Sequence, residues 1–185
     1  MSSAFCSGWW HHGHLQKGET NIISGMSAFT VFHVLLSLVG IAAGFVVIFG
    51  LLLVKRLPGW TATFLATTVL TSVTGFLFPV HHFMPSHGFG IVSIIALALA
   101  IYALYLRRLA GGWRRAYVIN AVIAQYLNFF VLIVQLFQKV PALKSLAPTQ
   151  SEGPFKVAQL GALVLFVVLG VLAAKRFRME QLQPA

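Results

Sequence analysis

The sequence predicts an all-α fold, an integral membrane bundle of five transmembrane helices, and three observations predict it. Of 185 residues, 58% are hydrophobic and 9% are charged, against roughly a quarter charged in a soluble domain. The acids number three, Glu19, Glu152 and Glu180, with no Asp, which leaves few carboxylates to hydrate a soluble surface. Five apolar stretches are each long enough to cross about 30 Å of hydrocarbon as a helix rising about 1.5 Å per residue.

The first stretch, 29–54, runs unbroken to Lys55 and Arg56. The second, 60–80, follows Pro58-Gly59 and ends beside Pro79. The third, 88–106, lies between Pro85 and a cluster of Arg107, Arg108, Arg114 and Arg115. The fourth, 117–137, follows Gly111-Gly112 and stops before Pro141. The fifth, 155–174, follows Pro154 and meets Lys175, Arg176 and Arg178. Chain breakers thus punctuate the runs, and Lys156, the second residue of the fifth, is the one Lys, Arg or Glu that falls within any of them. The transmembrane domain is expected over 27–176, with a short cytoplasmic tail over 177–185.

Charge placement gives the orientation. Thirteen basic residues oppose three acids, and nine of the thirteen flank the first and third connections and the C-terminus. The other side carries Lys17, Lys139, Lys144 and Lys156. By the positive-inside rule the C-terminus is expected in the cytoplasm and the N-terminus outside. Trp60, Tyr102, Tyr105, Trp113 and Tyr117 gather near the inner boundary, as amphipathic rings do at a headgroup layer. Because the basic residues sit in clusters between apolar runs, they mark topology; the expected partner is the lipid bilayer, with no nucleic acid.

Residues 1–26 read as a polar tail, disordered or a start-site extension, with Met26 as an alternative to Met1. They lack the basic and apolar regions of a signal peptide. Cys6 is the single cysteine and provides no intramolecular disulfide.

Inside the spans the polar side chains are the informative minority. His33, Ser37, Gly40 and Gly44 share one helical stripe, and Gly40 with Gly44 forms a small-xxx-small pair suited to another membrane protein's helix. Thr67, Thr71 and Thr74 form a second stripe, with Thr68, Ser72 and Gly75 beside it; threonine in such a helix can bond its own backbone one turn back. Gln125, Asn128 and Gln135 are placed on one face of the fourth span, where buried amides call for the bundle interior or a wet cavity.

All seven histidines, at 11, 12, 14, 33, 81, 82 and 87, fall toward the expected outer side. The tail's His11-His12-Gly13-His14 is a short tract of the kind that chelates metals adventitiously. Ser86 is read as the N-cap of the third span, placing His87 in its first turn, where the helix dipole favours the neutral ring. Three readings stay open for His33, His81, His82 and His87. Two neutral imidazoles suit b-type haem, with His33 and His87 as the pair and His81 as the substitute. A copper or zinc site near the surface, with Met84 as a soft ligand, is the second. The third has the rings satisfying backbone groups and contacting headgroups.

Absences exclude more. No carboxylate relay threads the spans, and no phosphate loop, dinucleotide fingerprint or catalytic triad is present. The sequence therefore offers no catalytic residue.

Three blocks, TGFLFPVHHFMPSHGFG from Thr74, AQYLNFFVLIVQLFQKVPAL from Ala124 and APTQSEGPF from Ala147, resemble a family of small, uncharacterised multi-pass proteins of the bacterial inner membrane. The resemblance implies that location and no particular activity. A looser similarity of the first span to membrane proteins with haem-type histidines favours the cofactor reading. The expectation is then an outward-facing site of His33, His81, His87, Asn128 and Gln135. It would hold haem b or a transition metal for electron transfer or respiratory-complex assembly, the amides supporting the ligands. The alternatives are a non-catalytic scaffold or complex subunit with no cofactor, packing through Gly40 and Gly44, and a quinone pocket along Gln125, Asn128 and Gln135.

Overall fold

The structure, a computed structural model, describes residues 16–77 and 85–179, with side chains described over 28–77 and 88–177. Every described element is helical: α1 (Gln16–Leu52), α2 (Pro58–Phe76), α3 (Pro85–Ile101) continuing into a π-helical segment (Tyr102–Leu106), α4 (Trp113–Lys139), α5 (Pro141–Leu146) and α6 (Gly153–Met179). The chain divides into two compact units, 1–35 and 36–185, and the packing below is that of the second.

Four helices are long and apolar enough to cross a membrane: Ala28–Leu52, Gly88–Leu106, Trp113–Lys139 and Gly153–Phe177. The second expected span is a helix of 19 residues, but six threonines and a serine dilute its hydropathy below that of the other four. Pro58 supplies the first turn of α2 and Pro141 that of α5, positions where the missing N–H has no helical partner. Helix α3 begins at Pro85, so Ser86 lies inside its first turn and is not the cap that the sequence suggested. Helix α1 begins at Gln16, within the segment read from sequence as a tail; residues 1–15 lie outside the described ones.

Helix α4 is the hub, packing against α3, the π segment, α5 and α6. Small side chains permit the approach: Ala100, Ala103, Ala121, Ala124 and Ala173 are all buried. Larger ones fill the rest, and Phe64, Phe166, Ile48 and Leu97 are fully enclosed. Phe45 of α1 meets Phe129 of α4 edge-on at 5.7 Å and Phe166 of α6 at 5.8 Å, so aromatic contacts tie three helices together. Beyond this core, Phe137 meets Phe155 edge-on at 5.4 Å beside Ile133 and Ala162.

At the other end of the unit two arginines grip helix termini. Arg114 donates to the Phe177 carbonyl at 3.3 Å and lies 5.1 Å from that ring's centroid. Arg176 donates to the Leu52 carbonyl at 3.3 Å. Both acceptors sit in the last turn of a helix, where carbonyls lack partners and the dipole favours a cation. These contacts bring the ends of α1 and α6 and the start of α4 to one end, where the basic clusters collect.

Candidate functional site

The polar side chains of the three central helices meet as a seam. On α1, Gly40 and Gly44 are buried and one turn apart. A Cβ at Gly40 would stand 3.1 Å from Thr67 Oγ1 of α2. One at Gly44 would collide with the carboxamide of Gln125 on α4 and stand 2.9 Å from the Phe64 ring. The small-residue pair expected to receive a partner protein is therefore filled by side chains of the same chain.

Gln125 is fully buried, and its Nε2 donates to the Ile41 carbonyl at 2.8 Å, across the α1–α4 contact. Its Oε1 lies over Gly44 and has no hydrogen-bond partner among the described residues. One turn on, Asn128 Nδ2 donates to Thr68 Oγ1 at 3.2 Å, joining α4 to α2. Ser72 continues the line to α3, bonding Ser93 at 3.2 Å. Thr68 and Ser72, from the stripe beside the main threonine row, thus make interhelical bonds. Thr67 and Thr74 of the main row return their hydroxyls to backbone carbonyls four residues back, at 2.7 Å each.

Gln135 does not join the seam; its side chain is exposed. At about 100° per residue Gln135 falls only about 20° from Asn128, so it shares that face and differs in lying two turns farther along, toward the end of α4 at Lys139. A similar use of amides escaped the sequence reading on the far side of α4. There Gln159 of α6 donates to the Phe130 carbonyl at 3.3 Å, and Gln150 donates to the Val134 carbonyl at 3.2 Å. Both lie outside the face that the periodicity singled out.

Of the four candidate imidazoles, His33 is half-buried on the stretch of α1 that belongs to the first unit. His81 and His82 lie outside the described residues, and His87 is described only as backbone in the first turn of α3. Among the described residues no group of three or more His, Cys, Asp or Glu side chains stands together as a metal site. Comparisons with protein-family models, with curated proteins and with solved structures find no match.

The seam's chemistry is neutral donation and acceptance between helices. It carries no charge, nucleophile or acid–base pair, so what it does directly is fix the register of α1, α2 and α4. Gln125 Oε1 is a buried acceptor on it with no hydrogen-bond partner among the described residues.

Proposed function

We propose that this chain is a five-span protein of the bacterial inner membrane, with its N-terminus outside and its C-terminus in the cytoplasm. Its outward end carries His33, His81, His82 and His87, which hold b-type haem or another transition metal for electron transfer or for assembly of a respiratory complex. The observation that supports this best is a division of polar chemistry. The amides of Gln125 and Asn128 and the hydroxyl of Ser72 make helix-to-helix bonds, whereas imidazole, the side chain suited to haem iron and transition metals, occurs in this chain only toward the expected outward end.

Counting α2 as the fifth span follows from its place in the core. Phe64, Leu65 and Thr68 are buried among the other helices, and Thr63, Thr67 and Thr74 bond backbone carbonyls of their own helix, which lowers their cost in hydrocarbon. An odd number of spans puts the termini on opposite sides, and the basic clusters at one end assign that end to the cytoplasm. A C-terminal reporter active only in the cytoplasm is the expected result.

Haem would be held by two neutral imidazoles, His33 with His87 or with His81 as its substitute, and would supply one-electron transfer when bound. With Asn128 bonded to Thr68 and Gln135 exposed, the ligands carry this site without the amides first expected to support them. Detergent-purified protein should show a Soret band, or a stoichiometric metal by elemental analysis, that His33→Ala or His87→Ala abolishes. Colourless protein that holds no metal and takes up no haem would overturn the proposal. That result favours the second reading, a non-catalytic subunit or scaffold without a cofactor, which the self-contained seam around Gly44 and Gln125 also supports.

A further inference from the structure

At the end of the second unit gripped by Arg114 and Arg176, a cavity of about 380 Å³ opens between the α1–α2 connection, the π segment and the ends of α4 and α6. That volume falls within the ordinary range of small-ligand sites, roughly 300–1,000 Å³. Val47, Leu51 and Leu104 form an apolar wall, and Lys55, Arg56 and Tyr105 stand on the lining with Thr61 and Tyr117. Two cations and no carboxylate line it. Tyr117 is buried and hydrogen-bonds Thr61.

The backbone around the cavity is irregular in a way that ordinary helix packing does not require. Residues 102–106 form a π turn that carries Leu104 and Tyr105, and such turns recur at functional sites. Leu109, another lining residue, sits at φ 60°, and Arg108 at φ 46°. On the facing connection Val54, a β-branched residue, sits at φ 57°, directly before Lys55 and Arg56. Left-handed backbone is unfavourable for all three, and strain of this kind gathers at ligand clamps.

We propose that this cavity seats the phosphate-bearing head group of an anionic phospholipid. Lys55 and Arg56 counter the phosphate charge, and the acyl chains leave along the apolar wall into the bilayer. The membrane is the source because exposed aromatic rings belong to the segments that form the cavity: Tyr105 on the lining is 55% exposed, and Trp60, next to the lining residue Thr61, is 50% exposed, and such rings mark a headgroup layer. The proposal rests on the membrane placement of the helices and is independent of what the histidines hold.

The test uses full-length protein purified in detergent, with dioleoyl-phosphatidylglycerol, dioleoyl-phosphatidylcholine and inorganic phosphate added separately. Native mass spectrometry reads retained lipid and thermal unfolding reads stabilisation. Phosphatidylglycerol should be retained and should raise the Tm, while phosphatidylcholine and inorganic phosphate should not. In K55Q/R56Q, retention should fall on the order of tenfold, since each basic residue near an anionic surface contributes a several-fold gain. K139Q/K144Q, which removes the same charge from the other end of α4 and from α5, should retain lipid as the native protein does. Leu57→Trp, which keeps both charges but fills the lining, should also lose the lipid, and it decides the matter if the charge variant does not fold. Equal retention of the two lipids, an equal Tm shift with inorganic phosphate alone, or unchanged retention in K55Q/R56Q and Leu57→Trp would overturn the proposal.

Discussion

Gly44 on α1 and Gln125 on α4 are complementary: the carboxamide of Gln125 occupies the space in which any other residue at 44 would place its Cβ. The glycine admits the amide, and the amide then reaches the Ile41 carbonyl three residues back on α1. Neither residue has this role alone. Gly44→Ala is therefore expected to destabilise the protein by about 1–3 kcal/mol, the usual cost of overpacking a close contact. Gln125→Leu should stay within about 1 kcal/mol of the native protein, because it removes a bond of modest net worth in a membrane together with a buried acceptor that has no partner. In G44A/Q125A the clash is gone, so the double variant should be more stable than the sum of the two single effects. Thermal unfolding in detergent measures all four, and strict additivity would show that the two residues do not interact.

Asn128 and Thr68 form the second joint of the seam, with the Thr68 hydroxyl fully buried. Asn128→Leu should cost about 0.6–1.7 kcal/mol, the range found for interhelical bonds inside a bilayer. Thr68→Val keeps the shape and removes the acceptor, so adding it to Asn128→Leu should cost little more. A full further loss in the double variant would mean that Thr68 contributes through another contact.

How much of this was legible depended on the signal each element leaves. The third span, 88–106, falls within one helical run from Pro85 through the π segment to Leu106, because an uninterrupted apolar stretch between Pro85 and Arg107 admits few alternatives. The inward turn of Gln125 and Asn128 also followed from the cost of burying amides. Gln135 shares the face of Asn128 but is exposed two turns nearer the helix end, because periodicity gives a residue's angle and not how far along the helix its neighbours reach. Helix α5 was missed because six residues beginning at a proline read as a loop, and the start of α1 because Gln16–Gly25 carries few apolar residues. The π turn at Tyr102–Leu106 leaves no compositional trace, since YALYL is an ordinary helical run. The pairing of Gly44 with Gln125 depends on which helices are neighbours, and span order alone does not state that.

The arginines that orient the chain also fasten it. Arg114 both bonds the Phe177 carbonyl and stacks on the Phe177 ring, whereas Arg176 reaches the Leu52 carbonyl from an exposed position. Arg114→Lys keeps the charge but loses the planar group that makes both contacts at once, so it should lower stability by about 1 kcal/mol without inverting the topology. Arg176→Gln should cost under about 0.5 kcal/mol, as exposed substitutions commonly do. Unfolding midpoints, read beside a C-terminal reporter, separate the two roles. An equal loss at both positions would show that the planar double contact of Arg114 adds nothing beyond an exposed bond.

Glu152, at the start of α6 and outside the spans, is the described acid whose titration the fold alters. Slight desolvation pushes its carboxyl upward, but bonds from the Thr149 hydroxyl at 2.8 Å, the Thr149 N–H at 3.1 Å and the Ser151 N–H at 3.0 Å outweigh it and hold the group below its ordinary value. These bonds stabilise the charged form in the folded state only. The contribution is then fully present above the unfolded carboxyl pKa of about 4.3 and is lost as pH falls through the lowered folded value. Glu152→Gln has nothing to titrate, so the Tm difference between native and variant protein should be largest at pH 6 and should shrink as pH is taken below about 4. Glu19 and Glu180 are present in both proteins, so their contributions cancel in that difference. A gap that stays constant from pH 6 to pH 3 would show that the Thr149–Glu152 bonds add nothing to the stability of the loop.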